Sequence, residues 1–225
     1  MSFIKRKPQP LGTELKSVCE GTFGICMFIE IQKGKIRMAR KKWARTYGAT
    51  TGCTIRLLDG MEMSERGEAN PKKRCVYADS WFASFKTAMA LRDELGVHFT
   101  GSIKTAYEGF PIERMRTTLA TMTRGEHIVL ECCDRTNLWA IGWHDHHFKT
   151  YITTHGHTRP GKPDGVNYAK EVDRPHILAK YQDEMGHVDR HIQSVPPRVA
   201  ALSENMENKN LANANSVGVV GNDLG

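Results

Sequence analysis

No stretch of this 225-residue sequence approaches the ~20 consecutive apolar residues that span a bilayer. The opening MSFIKRKPQPLG also lacks the apolar core of a signal peptide. Both absences point to a soluble, non-secreted chain with no membrane partner. The six cysteines (Cys19, Cys26, Cys53, Cys75, Cys132, Cys133) include no CxxC pair, which argues against a disulfide framework and for a reducing compartment. Cys132 and Cys133 are adjacent, so on a strand they face opposite ways, and nothing orients a base toward either. No internal repeat is visible. One further absence concerns charge: no Asp or Glu occurs between Glu30 and Asp59.

What fills that gap is basic. Lys33, Lys35, Arg37, Arg40, Lys41, Lys42 and Arg45 fall within KGKIRMARKKWAR. The block reads either as a solvated surface segment or as a phosphate-contacting strip with Trp43 available to stack. The whole chain carries a net charge of +7 with a pI near 9.1, which favours a polyanionic partner, nucleic acid first. Composition is otherwise ordinary for a globular protein, at 40% apolar and 25% charged.

Along the chain, the segment 6–12 with Pro8 and Pro10 reads as extended. GICMFIEI (Gly24 to Ile31) reads as a strand buried on both faces. TIRLLDGMEM reads as a short helix, and SERGEANPKKR as a loop. CVYA, from Cys75, reads as a strand ending at Asp79. The clearest helix is SFKTAMALRDELG: Ser84 is a natural N-cap, Phe85, Ala88, Met89, Leu91 and Leu95 make an apolar stripe, and Gly96 suits a left-handed end. VHFTGSI then reads as a second strand, so the order is βαβ, the grammar of a three-layer α/β domain.

Between Arg124 and His157 the text alternates, as in GEHIVLECC and NLWAIGWHDHHFKTYITT, and predicts an antiparallel hairpin or small sheet. DRPHILAKYQDEM predicts a helix capped by Asp173, with Ile177, Leu178, Tyr181 and Met185 on one face and a break near Gly186. The Asn-rich text after Gln193 reads as a disordered tail, with a short helix around 199–211 as the one alternative.

Two groups of residues bear on chemistry. His144 and His146 in WHDHH, with His155 and His157 in HGH, are zinc-competent residue types. Without cysteine at ligand spacing, an exposed polar strand face is the better reading. Asp79 at a strand end and Asp189 after a helix are of the type needed for two-metal phosphoryl transfer, in which carboxylates converge on cations ~3.5–4 Å apart. Spacing alone leaves open that Asp79 is a turn residue and Asp189 a solvated carboxylate.

The order of the segments carries a resemblance. RKPQPLGTELKS with GTFGICMFIEIQKG resembles the KP-x-x-x-G-x-K opening of piggyBac-type transposase domains, and CVYADSWFAS resembles their strand followed by D-N-F-F-T-S. LRDELGVHFTGSIKTAYEGFP is similar to the following L-x-x-x-G-x-x-x-x-G-T-x-R segment. RGEHIVLE with LWAIGWHDHHFKTYITT resembles the β-rich insertion, and HILAKYQDEMGHVDR the tyrosine helix with M-x-G-V-D. The five segments stand in family order between Ile4 and Gln193.

The resemblance implies an α/β fold with an RNase H-like core, a mixed sheet with flanking helices, and a β-rich insertion. The implied divisions are 1–123 for the first part of the core, 124–170 for the insertion, 171–193 for the core helix with the third aspartate, and 194–225 for a divergent tail. It implies Mg²⁺-dependent DNA cleavage and strand transfer, with Asp79 and Asp189 as the second and third of three catalytic, metal-binding aspartates. DNA is the implied partner, a homodimer is compatible with it, and the implied compartment is the nucleus.

The first family aspartate lies in a D-E motif upstream of the KP segment, and this sequence begins after it. The expectation is therefore a core without its first strand, an incomplete metal site, and little or no cleavage. Ser80 and Ala83 replace the family's Asn and Thr, His187 interrupts G-G-V-D, and the tail matches no family segment. The alternatives are a non-catalytic module that binds DNA or protein, and a core too incomplete to fold alone.

Overall fold

A computed structural model describes residues 2–3, 11–59, 74–104, 109–135, 137–155, 174–194 and 211–222. Side chains are described for 14–59, 74–104, 109–135, 137–155 and 174–186. The expected extended start at 6–10, the loop SERGEANPKKR up to Lys73, the cap Asp173, the His157 loop and the alternative helix up to Asn210 lie outside the described residues.

The chain opens with β1 (Ser2–Phe3), β2 (Leu11–Glu20) and β3 (Cys26–Ile31). Three helices follow: α1 (Lys35–Ala39), α2 (Ala44–Tyr47) and α3 (Ala49–Asp59). Then come β4 (Arg74–Ala78), α4 (Phe85–Leu95) and β5 (His98–Ile103). Next are α5 (Ile112–Leu119), β6 (His127–Glu131), β7 (Trp139–His144) and β8 (Phe148–Thr153), and finally α6 (His176–Ser194) and β9 (Leu211–Asn222). The strands form one mixed sheet in the order β1-β2-β9-β4-β5-β8-β7-β6, with β3 also on β2. This is the mixed α/β, RNase H-like architecture with flanking helices.

β4 is central because its residues are apolar or small on both sides. Cys75, Val76, Tyr77 and Ala78 are all fully buried. Val76 and Ala78 join the larger core with Ala88, Leu91 and Phe82, while Cys75 and Tyr77 join a second core with Ile177, Leu178 and Tyr181 of α6. β4 and β5 pair in parallel from Cys75↔His98 to Ala78↔Gly101, with α4 as the crossover. α4 ends as its sequence requires: the Ser84 hydroxyl accepts from Thr87 N at 3.0 Å, and Gly96 sits at φ 63.

β6, β7 and β8 form an antiparallel meander that joins the rest of the sheet through β8 against β5. α5 lies against this meander through Ile112, Met115 and Leu119, all buried. The approach is close because Gly142 on β7 has no Cβ; one added there would stand 2.6 Å from Leu119 Cδ1 and 3.2 Å from Met115 Cε. Gly142→Val is expected to cost about 1–3 kcal/mol through overpacking. A thermal melt read by circular dichroism checks this: an unchanged midpoint would show that α5 yields freely.

Several expectations are corrected. GICMFIEI does not form a strand buried on both faces: β3 pairs only with β2 among the described residues, and Met27, Phe28, Ile29 and Ile31 are exposed. An apolar run fixes strand tendency but not the number of neighbours. The helix expected from Thr54 begins earlier, at Ala49; it is described as far as Asp59, and its expected end lies outside the described residues. α6 does not break at Gly186; it runs on to Ser194, so Asp189 lies inside a helix rather than after one. The tail contributes β9, parallel to β2 and antiparallel to β4, so the expected disorder does not hold for Leu211–Asn222.

Candidate active-site turn and basic strip

Asp79 follows the last residue of β4, where the central strand stops and the chain turns toward α4. Its Oδ1 accepts from Trp81 N at 2.8 Å, and its carbonyl oxygen accepts from Phe82 N and Ala83 N, both at 3.1 Å. This is the local turn that an Asp side chain favours, and it fixes the carboxylate on a rigid element. The turn lies tight on β5: a Cβ at Gly101 would stand 2.7 Å from Ala83 Cβ. Burial raises the Asp79 carboxyl above its ordinary range, against the opposing pull of the Trp81 N–H, the Lys16 charge, the Phe82 N–H and the Lys104 charge.

Lys16 is the residue that sequence reading missed. It lies on β2 and is fully buried, with Nζ 2.6 Å from Glu14 Oε1 and 3.4 Å from the centroid of the Trp81 ring. Its ammonium therefore rests beneath the Asp79 turn, held by a carboxylate and an aromatic face. Burial lowers its pKa, and Glu14 and Asp79 act against that. A lysine between Leu15 and Ser17 gives no local sign of this, because Trp81 and Phe82 reach it from a distant segment.

α6 reaches the same strand end. The Tyr181 hydroxyl donates to Ala78 O at 3.1 Å, and its ring packs edge-on to Tyr77 and Tyr151 at 6.4 and 5.2 Å. Asp189 lies two turns further along the helix, ~12 Å on the axis. The structure thus brings the Asp79 strand and the helix that carries Asp189 together; the Asp189 side chain is outside the described ones. Among the described residues, no group of three or more His, Cys, Asp or Glu could hold a metal ion. Asp79 is one donor with an oxygen already engaged, so the described side chains do not by themselves fit a metal site.

The histidines disperse. WHDHH is not one strand: His144 ends β7, and His146 and His147 lie in the bend before β8. His144 Nδ1 contacts Met122 O at 2.8 Å, and His155 packs its ring on His98 at 4.7 Å. Asp145 is buried in that bend, bonded to Arg124 Nη2 at 3.0 Å and Lys149 Nζ at 2.7 Å.

The basic block forms α1, α2 and the turn between them. Lys33, Lys35, Arg37, Arg40, Lys42 and Arg45 are exposed. Lys41 and Lys42 each face a carboxylate: Lys41 Nζ is 3.2 Å from Glu30 Oε2 and Lys42 Nζ 2.9 Å from Asp59 Oδ2. Glu30 also takes Arg56 Nε at 2.7 Å. Trp43 is half-buried against Tyr47, with ring centroids 5.9 Å apart, and starts α2 from a left-handed φ of 68. The packing of Trp43 is tight, because a Cβ at Gly52 would lie 2.9 Å from the Trp43 carbonyl carbon.

No curated protein and no solved structure matches the chain. A family model described as Transposase IS4 matches residues 1–209, nearly the whole chain. Family members of this DDE type carry out DNA transposition and use divalent metal. The match covers the strand–turn with Asp79, the buried Lys16 beneath it, the basic strip and α6 alike. The chain belongs to the IS4-type DDE transposase family.

Proposed function

We propose that the chain is a piggyBac-like member of this family, built for Mg²⁺-dependent DNA cleavage and strand transfer. Asp79 and Asp189 are proposed as metal ligands, and DNA with a second copy of the chain as partners, in the nucleus. The observation that carries the reading is the meeting of elements at one strand end. Asp79 closes the buried central strand, and Tyr181 ties the helix bearing Asp189 to that strand's last residue. The proposed divisions remain 1–123, 124–170, 171–193 and 194–225, with the second unit joined edge to edge with the first through β5 and β8.

Bound divalent metal would activate an attacking oxygen and neutralise charge at the phosphate. What these residues do is narrower: the Trp81 N–H orients the Asp79 carboxylate, and Lys16 steadies the turn from below. Two carboxylates fall short of the family's three, so the 225-residue chain by itself is proposed to be inactive. Incubated with Mg²⁺ and transposon-end DNA, it is expected to leave the strands intact. Robust metal-dependent nicking that Asp79→Ala abolishes would contradict inactivity.

A second reading, a non-catalytic DNA-binding module, is favoured by the six exposed cations of the basic strip. Duplex affinity should then fall steeply with salt, and the Arg37→Ala, Arg40→Ala, Arg45→Ala triple variant should flatten the log–log slope by about 3. Lys41→Ala with Lys42→Ala should change it less, since both cations already face carboxylates. Affinity that ignores salt would count against the strip.

A further inference from the structure

Beside the Asp79 turn lies an open cleft of about 750 Å³ between the start of α3 and the start of α4. Its walls carry three aromatic side chains, Tyr47, Trp81 and Phe85, none of them fully buried. Lys86 and Arg135 add exposed cations, and Asp93 is the acid among the lining residues, 3.4 Å from Arg92 Nε. The cleft begins two residues after Asp79.

We infer that this cleft receives unpaired nucleotides of a DNA strand, their bases stacked on Trp81 and its aromatic neighbours and their phosphates facing Lys86 and Arg135. The inference rests on the DNA reading of the preceding subsection and extends it to a site distinct from the basic strip. A base inside a duplex has both faces covered by its neighbours, so rings set in the walls of a concave cleft are open to unpaired bases only. Stacking on aromatic side chains is tolerant of base identity, and basic groups that track the backbone supply the rest. Trp81 is well prepared for this role. Its ring is backed by the Lys16 ammonium at 3.4 Å and braced edge-on by Phe82 at 4.6 Å, so little ordering is left for binding to impose. The lining is also mostly apolar around its few charges, as expected of a site that takes flat bases and leaves phosphates at the rim.

The test compares a fluorescein-labelled dT12 strand with a 12-base-pair duplex by anisotropy at one fixed salt concentration. Trp81→Leu is expected to weaken dT12 binding about 5- to 150-fold, the range of one lost base stack, and leave duplex binding within about two-fold. Because Trp81 also covers Lys16, Tyr47→Leu and the Lys86→Ala, Arg135→Ala pair serve as second variants, each checked for a wild-type melt. Both should weaken dT12 selectively. Duplex binding that persists while dT12 binding is unchanged in all three variants overturns the cleft and leaves the DNA reading standing. Absence of binding to either probe overturns both. Self-association abolished by Trp81→Leu, with dT12 binding unchanged, overturns the inference in favour of a second copy as the occupant.

Discussion

Tyr181→Ala is expected to destabilise the fold by about 3–5 kcal/mol, a large share of the stability of a domain this size. The ring is nearly buried and packs against Tyr77 and Tyr151, so its removal leaves a cavity in the smaller core. The hydroxyl has a separate role, donating to Ala78 O just before Asp79. Tyr181→Phe keeps the ring and leaves that carbonyl without its donor, which should cost about 1–3 kcal/mol. Denaturant unfolding of the two variants separates the contributions. Equal losses would mean that the hydrogen bond carries the effect and the ring little; no loss in either would mean that α6 is not docked on β4.

The second large effect concerns acid. Asp145 and Glu30 are each held at about 2, although burial alone would raise both. For Asp145, the opposing groups are Lys149, the His146 N–H and Arg124; for Glu30, they are Arg56, Cys53 and Lys41. A carboxyl whose folded pKa lies below its unfolded value stabilises the fold above the unfolded value, and that contribution is lost as pH falls through the folded one. The window therefore runs from pH ~4.5 down to ~2, and each group should contribute on the order of 1–2 kcal/mol across it. Urea midpoints taken at pH 6, 4 and 2.5 should fall below pH 4. Asp145→Asn should blunt the fall from the β7–β8 bend, and Glu30→Gln the fall from the basic strip. A flat profile in wild-type protein would show that neither cluster is tightly paired.

How much of this was legible beforehand depends on whether the cause is local. The β4–α4–β5 unit was, because each signal acts within a few residues: an apolar run, Ser84 bonding Thr87, a stripe at helical spacing, and Gly96 free to adopt φ 63. The helix beginning at His176 was legible for the same reason, since Ile177, Leu178 and Tyr181 recur on one face and are buried. Its continuation through Gly186 was not, because a glycine lowers helix propensity by only ~1 kcal/mol and packing elsewhere can override that.

β3 and β9 show the opposite case. The apolar text of β3 looks interior, yet the strand lies at an edge; the Asn-rich text of β9 looks unstructured, yet it has a partner strand on each side. Pairing is a non-local outcome, and composition does not count neighbours. The second half of WHDHH is a bend for a similar reason, since Asp145 finds Arg124 and Lys149 there. The place of Asp79 at the end of β4 was legible from the apolar run before it. Lys16 was not, since its place depends on Trp81 and Phe82 folding over it.

Whether Asp79 and Asp189 share one metal ion, as proposed, is read most directly by iron-mediated backbone cleavage. Hydroxyl radicals generated by Fe²⁺ bound in place of the native ion cut the backbone near its ligands, so the fragments report the site directly. Cuts close to residues 79 and 189 are expected, both lost in Asp79→Asn and suppressed by excess Mg²⁺. Cuts at only one of the two positions, or the same fragments from Asp79→Asn, would contradict it.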